Sequence, residues 1–215
     1  MKYQENIVPA TNQNPYSLYL SEKEGSPRVL FCGNSITKHG IKTSIGWDRD
    51  CGMAASDLDH DYVHVFARAF SEKYPDAVYG IAQVAVFERG FETMDIRETY
   101  QLAADWKPDI VISFFGANVP GEYDKNPNPT VTFGEKYEEL RNLLGAKLYI
   151  HSEGFYIRPK LNAEKKAVAD KYGDIWVTMS DINQLAETHG LFNHPNDEGM
   201  RRIAQKFLDA VFTVY

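Results

Sequence analysis

Hydrophobic residues along this 215-residue chain alternate between short continuous runs and stretches where they recur every three or four positions. Apolar runs of four to eight residues bounded by turn-formers predict strands buried on both faces, whereas i, i+3, i+4 spacing predicts amphipathic helices. The first run, "VLFC" (29–32), stops at Gly33. Four more predicted strands follow, "DAVYGIAQVAV" (76–86), "DIVISFFG" (109–116), "KLYI" (147–150) and "DIWVTM" (174–179). Between them, Val63, Phe66, Ala67 and Phe70 share one helical face, as do Ile96, Tyr100 and Ala103, then Phe133, Tyr137, Leu140 and Leu144, then Leu161, Val168 and Tyr172. The last helix carries the longest stripe, Met200, Ile203, Ala204, Phe207, Leu208 and Val211, behind "NHPNDEG".

Strand and helix thus alternate five times without hairpin signals, which predicts a parallel sheet with helices on both faces. Residues 1–27, with Pro9, Pro15, Gly25 and Pro27, predict an N-terminal arm laid over a single domain, 28–215. Residues 41–59 form a long irregular segment, and such loops in compact domains tend to be functional.

Composition narrows the function. A net charge of -7 with no basic block argues against nucleic acid as a partner. Two cysteines, Cys32 and Cys51, are too few for a disulfide scaffold and are expected to be reduced. The N-terminus has no continuous apolar core after Lys2, and the longest apolar run, 110–119, is too short to span a bilayer. The expectation is a soluble cytoplasmic protein with no membrane partner. Nothing predicts its oligomeric state. No metal or other cofactor is expected, because His189 and His194 do not share a helical face and the i, i+4 pair His60 and His64 lacks further ligands nearby. His151, ending the fourth strand, reads as a pocket wall.

In an open α/β sheet ligands bind beyond the carboxyl ends of the strands. Ser35 follows the first strand, Asn118 follows the third, and His194 precedes the last helix. Serine acyl transfer needs a nucleophile, a base within hydrogen-bond reach and donors for the oxyanion, and these residues match those roles in that order. A helix N-terminus beside His194 would disfavour imidazolium and keep it basic. Each residue also has a local reading: Asn34, Ser35 and Thr37 as caps, "HPND" as a helix start, Asn118 as a turn.

Gly33-Asn34-Ser35 with Ile36-Thr37, Gly116-Ala117-Asn118, and His194-Pro195-Asn196 with Gly199 and Ile203-Ala204 resemble three sequence blocks of the SGNH, or GDSL-like, hydrolases, in that family's order and spacing. The resemblance implies a flavodoxin-like three-layer α/β/α sandwich with a five-stranded parallel sheet. It implies a serine esterase in which Ser35 forms an acyl-enzyme, His194 is the base, and the amides of Ser35 and Ala85 with the Asn118 side chain hold the oxyanion. Small or carbohydrate O-acyl esters are the implied substrates, with Trp47 either stacking on a sugar or plugging its loop. Two positions depart from the pattern. Ala85 stands where the second block has glycine, with Gly80 at that block's usual Asn position, and Leu191 stands where the acid is usual, three residues before the histidine. Glu153, after the fourth strand, and Asp181, after the fifth, are the candidates to replace the acid. A backbone carbonyl orienting His194 is the favoured expectation. The alternative function is a non-catalytic flavodoxin-like module binding a phosphorylated ligand or flavin through "GNSIT" at the first strand-to-helix turn.

Overall fold

A computed structural model describes residues 17–215. Its six strands, β1 Leu18–Leu20, β2 Arg28–Gly33, β3 Val78–Gln83, β4 Ile110–Phe114, β5 Leu148–Ser152 and β6 Ile175–Val177, form one sheet in the order β1-β3-β2-β4-β5-β6. Strands β2 to β6 are parallel, as the alternation predicts. The sixth strand is the difference. Leu18–Leu20, within the segment assigned to the arm, pairs antiparallel with β3 at the sheet edge. Three residues are too few to show an alternating pattern, so the strand left no periodic signal. Residues 1–16 of the arm lie outside the described residues.

Side-chain alternation along β2 divides the core into two layers. Val29 and Phe31 face a cluster with Tyr62, Phe66 and Phe70 of α1 (Tyr62–Lys73) and Phe207 of the C-terminal helix (Asp197–Val211). Leu30 and Cys32 face the opposite cluster, with Tyr100, Tyr137 and Leu161 from helices Ile96–Asp105, Phe133–Leu144 and Pro159–Tyr172. The result is the expected three layers. Phe31 and Phe66 meet edge-to-face at 5.3 Å, a geometry worth about 1 kcal/mol for the pair beyond the burial of the rings.

The second strand ends earlier than its apolar run. Val84 leaves the extended region (φ -103, ψ 17), and α2 (Ala85–Gly90) begins at once, burying Ala85, Phe87 and Glu88. An unbroken run such as "VAVF" cannot by itself separate strand from buried helix. In the following chain order α3 is Ile96–Asp105, α4 Gly121–Lys125, α5 Phe133–Leu144, α6 Pro159–Tyr172, α7 Ser180–Asn183 and α8 Asp197–Val211. No helix among the described residues is long and apolar enough to cross a membrane.

Because β3 and β4 flank β2 in register, Gly33 lies beside both Gln83 and Phe114. The chain after each of these strands therefore emerges at the same, carboxyl end of the sheet, at the point where the strand order reverses.

Candidate active site

Ser35 is placed by the turn that closes β2. A Cβ on Gly33 would fall 1.7 Å from the Thr37 hydroxyl oxygen, so only glycine admits this turn. Asn34, buried, does the local capping: its Oδ1 accepts from the Ile36 amide at 3.2 Å, and its carbonyl accepts from the Thr37 and Lys38 amides. Thr37 Oγ1 meets Tyr62 Oη at 2.8 Å. That leaves the half-buried Ser35 side chain free of the turn, with Oγ 2.9 Å from His194 Nε2. No helix follows this loop directly; α1 starts only at Tyr62. The strand-to-helix turn needed to present "GNSIT" to a phosphate is not formed.

His194 sits before α8, whose cap is Asn196 Oδ1 accepting from the Gly199 amide at 3.1 Å. Its Nδ1 lies 2.9 Å from the Phe192 carbonyl and 3.2 Å from Tyr156 Oη. A carbonyl can only accept, so Nδ1 carries the proton, leaving the Nε2 lone pair for the Ser35 hydroxyl. The carbonyl is aimed by two successive left-handed residues, Phe192 (φ 58) and Asn193 (φ 59). For a residue as bulky as Phe192 that conformation costs about 1 kcal/mol or more. Tyr156 braces the same loop by donating to the Asn193 carbonyl at 3.1 Å. Burial lowers the pKa of His194 below its ordinary value, and nearby His39 adds to the effect, against the opposing hydrogen bond to Phe192.

Asn118, after β4, lines the same cleft as Ser35, Ala85 and His194. Its carboxamide is held at both ends, with Nδ2 donating to Glu88 Oε2 at 2.6 Å and Oδ1 accepting from Arg89 Nη2 at 3.2 Å. The Ala85 amide donates to Gln83 Oε1 at 2.8 Å. The cleft, about 450 Å³, is further lined by Lys38, His39 and Lys42.

Solved structures align with most of this architecture. A lipase/acylhydrolase from Enterococcus faecalis matches over 86% of this chain and 94% of its own, at 16% identity and a TM-score of 0.58. A family two carbohydrate esterase from Clostridium thermocellum, in complex with cellohexaose, matches over 90% of this chain and 66% of its own, at 13% identity and a TM-score of 0.55. A two-domain esterase active on acetylated mannans matches over 87% of this chain and 48% of its own, at 18% identity and a TM-score of 0.55. No protein-family model and no curated protein matches the chain.

The chain has the SGNH hydrolase fold.

On this SGNH frame the residue at the usual acid position, Leu191, is exposed. Among the described residues, no nearby carboxylate takes its place at the imidazole. Glu153 Oε2 accepts from the Met179 and Ser180 amides at the start of α7, and Asp181 pairs with Lys206 at 2.9 Å. Asp197 Oδ1 accepts from the Ser56 amide, while Glu198 pairs with Arg201 and Arg202. Trp47 is wholly buried, its Nε1 donating to the His39 carbonyl at 3.3 Å, so it plugs its loop and offers no face to the cleft. His151 is no pocket wall: it is buried between Tyr137 Oη at 2.6 Å and Asp174 Oδ2 at 2.9 Å. His60 and His64 each pair with an aspartate of their own helix start, Asp57 and Asp61. Cys32 and Cys51 are buried free thiols, both pushed up to about 12 by burial.

Sequence reasoning missed Glu88 and Tyr156. Glu88 fell two residues past the predicted strand 76–86, and Tyr156 in a loop with no motif. One signal for Glu88 was present: a charged residue beside a continuous apolar stretch must find partners if the stretch is buried.

Proposed function

We propose that the chain is a serine esterase acting on small or carbohydrate-linked O-acyl esters. The reading is carried by the Ser35 Oγ to His194 Nε2 contact of 2.9 Å, in the one tautomer that lets the imidazole accept the serine proton. Ser35 Oγ attacks the ester carbonyl as His194 Nε2 takes its proton. The oxyanion is held by the amides of Ser35 and Ala85 and by Asn118 Nδ2, the substrate oxygen taking the place of Gln83 Oε1 on the Ala85 amide. Collapse expels the alcohol, protonated by His194. Water, deprotonated in turn by His194, then attacks the acyl-enzyme and frees Ser35.

The wall of the cleft supports the substrate class. Lys38, His39, Lys42, Gln83, Arg89 and Asn118 give it many polar and charged groups, a poor bed for a long acyl chain and a suitable one for a hydroxyl-rich alcohol. The carbohydrate esterase and the esterase active on acetylated mannans among the structural neighbours support the same class. With 4-nitrophenyl esters of increasing chain length, kcat/KM should be highest for acetyl and fall steadily to octanoyl. A maximum at octanoyl or beyond would contradict the assignment.

The depressed pKa of His194 sets the pH dependence. The base must be neutral, and burial favours the neutral form, so activity should be complete at pH 7 and fall as acid protonates the imidazole. The acid limb of kcat/KM should have its midpoint below the ordinary histidine value of about 6.5. A midpoint at or above 7 would contradict it.

A further inference from the structure

We propose that Glu88, with Arg89 beside it, is a positioning residue that holds Asn118 as an oxyanion donor and ties it to the nucleophile loop. The role rests on the esterase reading above and deepens it.

Glu88 is wholly buried. A buried carboxylate is costly unless its lone pairs are filled by donors, so the identity of those donors shows what the carboxylate organises. Oε1 accepts from the Gly116 amide at 2.5 Å, Asn34 Nδ2 at 3.0 Å and the Asn118 amide at 3.3 Å. Oε2 accepts from Asn118 Nδ2 at 2.6 Å. All four donors come from two segments, the residue immediately before Ser35 and the loop that carries Asn118. The side chain therefore bridges the ends of β2 and β4 where the cleft opens.

The bridge also decides which way Asn118 points. A guanidinium only donates, so the end of the carboxamide facing Arg89 Nη2 is Oδ1, and Nδ2 is turned to Glu88 Oε2. One Nδ2 proton is held by Glu88. The other is left for the cleft that Asn118 lines with Ser35 and His194. Without the carboxylate the amide could rotate and present its oxygen to the developing negative charge, turning a stabilising contact into a repulsive one. A second buried group steadies the loop from behind: Lys165 Nζ donates to the Phe115 carbonyl at 2.6 Å. Burial drives this amine down to about 7 against the upward pull of Glu88 and Glu153.

The test is a double-mutant cycle on 4-nitrophenyl acetate, with kcat and KM measured for wild type, Glu88→Gln, Asn118→Ala and the double variant. Asn118→Ala should lower kcat by roughly 100- to 1000-fold, the usual effect of losing one oxyanion donor. Glu88→Gln should lower kcat by about 10- to 100-fold with KM within about threefold, since the lost contact acts on the transition state. In the Asn118→Ala background the same substitution should cost less than about threefold, because the residue it positions is gone. Losses that multiply would overturn the proposal. If Glu88→Gln does not fold, Arg89→Ala on the exposed rim supplies the second arm. Its kcat loss should vanish when Asn118 is already alanine, and an equal loss in both backgrounds would overturn the proposal. Wild-type hydrolysis that survives Ser35→Ala would overturn the esterase reading together with it, whereas Ser35-dependent hydrolysis with multiplying losses sinks this inference alone.

Discussion

Ser35→Ala should lower turnover of an activated acetyl ester by about 10⁴- to 10⁶-fold, since nothing else in the proposed cycle can carry the acyl group. The same change should move folding stability by no more than about 0.5 kcal/mol. The turn around Ser35 is held by Gly33, by the Asn34 side chain and by the Asn34 carbonyl, and the hydroxyl's contact is with His194 alone among the described residues. Steady-state kinetics and a thermal melt on the same preparation check both halves. A variant that keeps more than a hundredth of the wild-type rate would contradict the assignment.

His194→Ala should be as damaging, and no single carboxylate should match it. In a triad the acid fixes the tautomer and stabilises the imidazolium. Here the Phe192 carbonyl at 2.9 Å and Tyr156 Oη at 3.2 Å occupy Nδ1, and both are neutral. Tautomer control is thus retained while charge stabilisation is weaker, and the expected enzyme is a slower dyad. Glu153→Gln should weaken a helix cap by removing its charge, costing at most about 1 kcal/mol of stability, with little effect on kcat. Asp181→Asn, Asp197→Asn and Glu198→Gln should be similarly mild in turnover, because each side chain is engaged elsewhere. One folded amide variant as inactive as His194→Ala would contradict the dyad.

Much of the fold was legible because buried parallel strands and amphipathic helices write their periods directly into the chain. The helix faces named from Val63 to Phe70 and from Met200 to Val211 are those that bury. The edge strand Leu18–Leu20 and helix Ala85–Gly90 were not legible, the one too short for a period and the other hidden in an apolar run. The same contrast holds at the site. Ser35, Asn118 and His194 could be found from their place at strand ends and helix starts, and the structure brings all three to one cleft. For Glu88 the sequence could signal only a need for partners and not which ones, because its donors come from residues 34, 116 and 118, which only tertiary packing assembles. A backbone carbonyl facing His194 Nδ1 was the favoured expectation, and the structure has the Phe192 carbonyl there at 2.9 Å; which residue supplies it was not legible, because a carbonyl has no residue type to read.

The most direct test of the account is covalent. Purified protein treated with a fluorophosphonate, then digested and mapped by mass spectrometry, should carry one phosphonyl adduct, on Ser35, and the label should be lost in Ser35→Ala. No adduct on the folded wild-type protein, or an adduct on another serine that persists in Ser35→Ala, would contradict it.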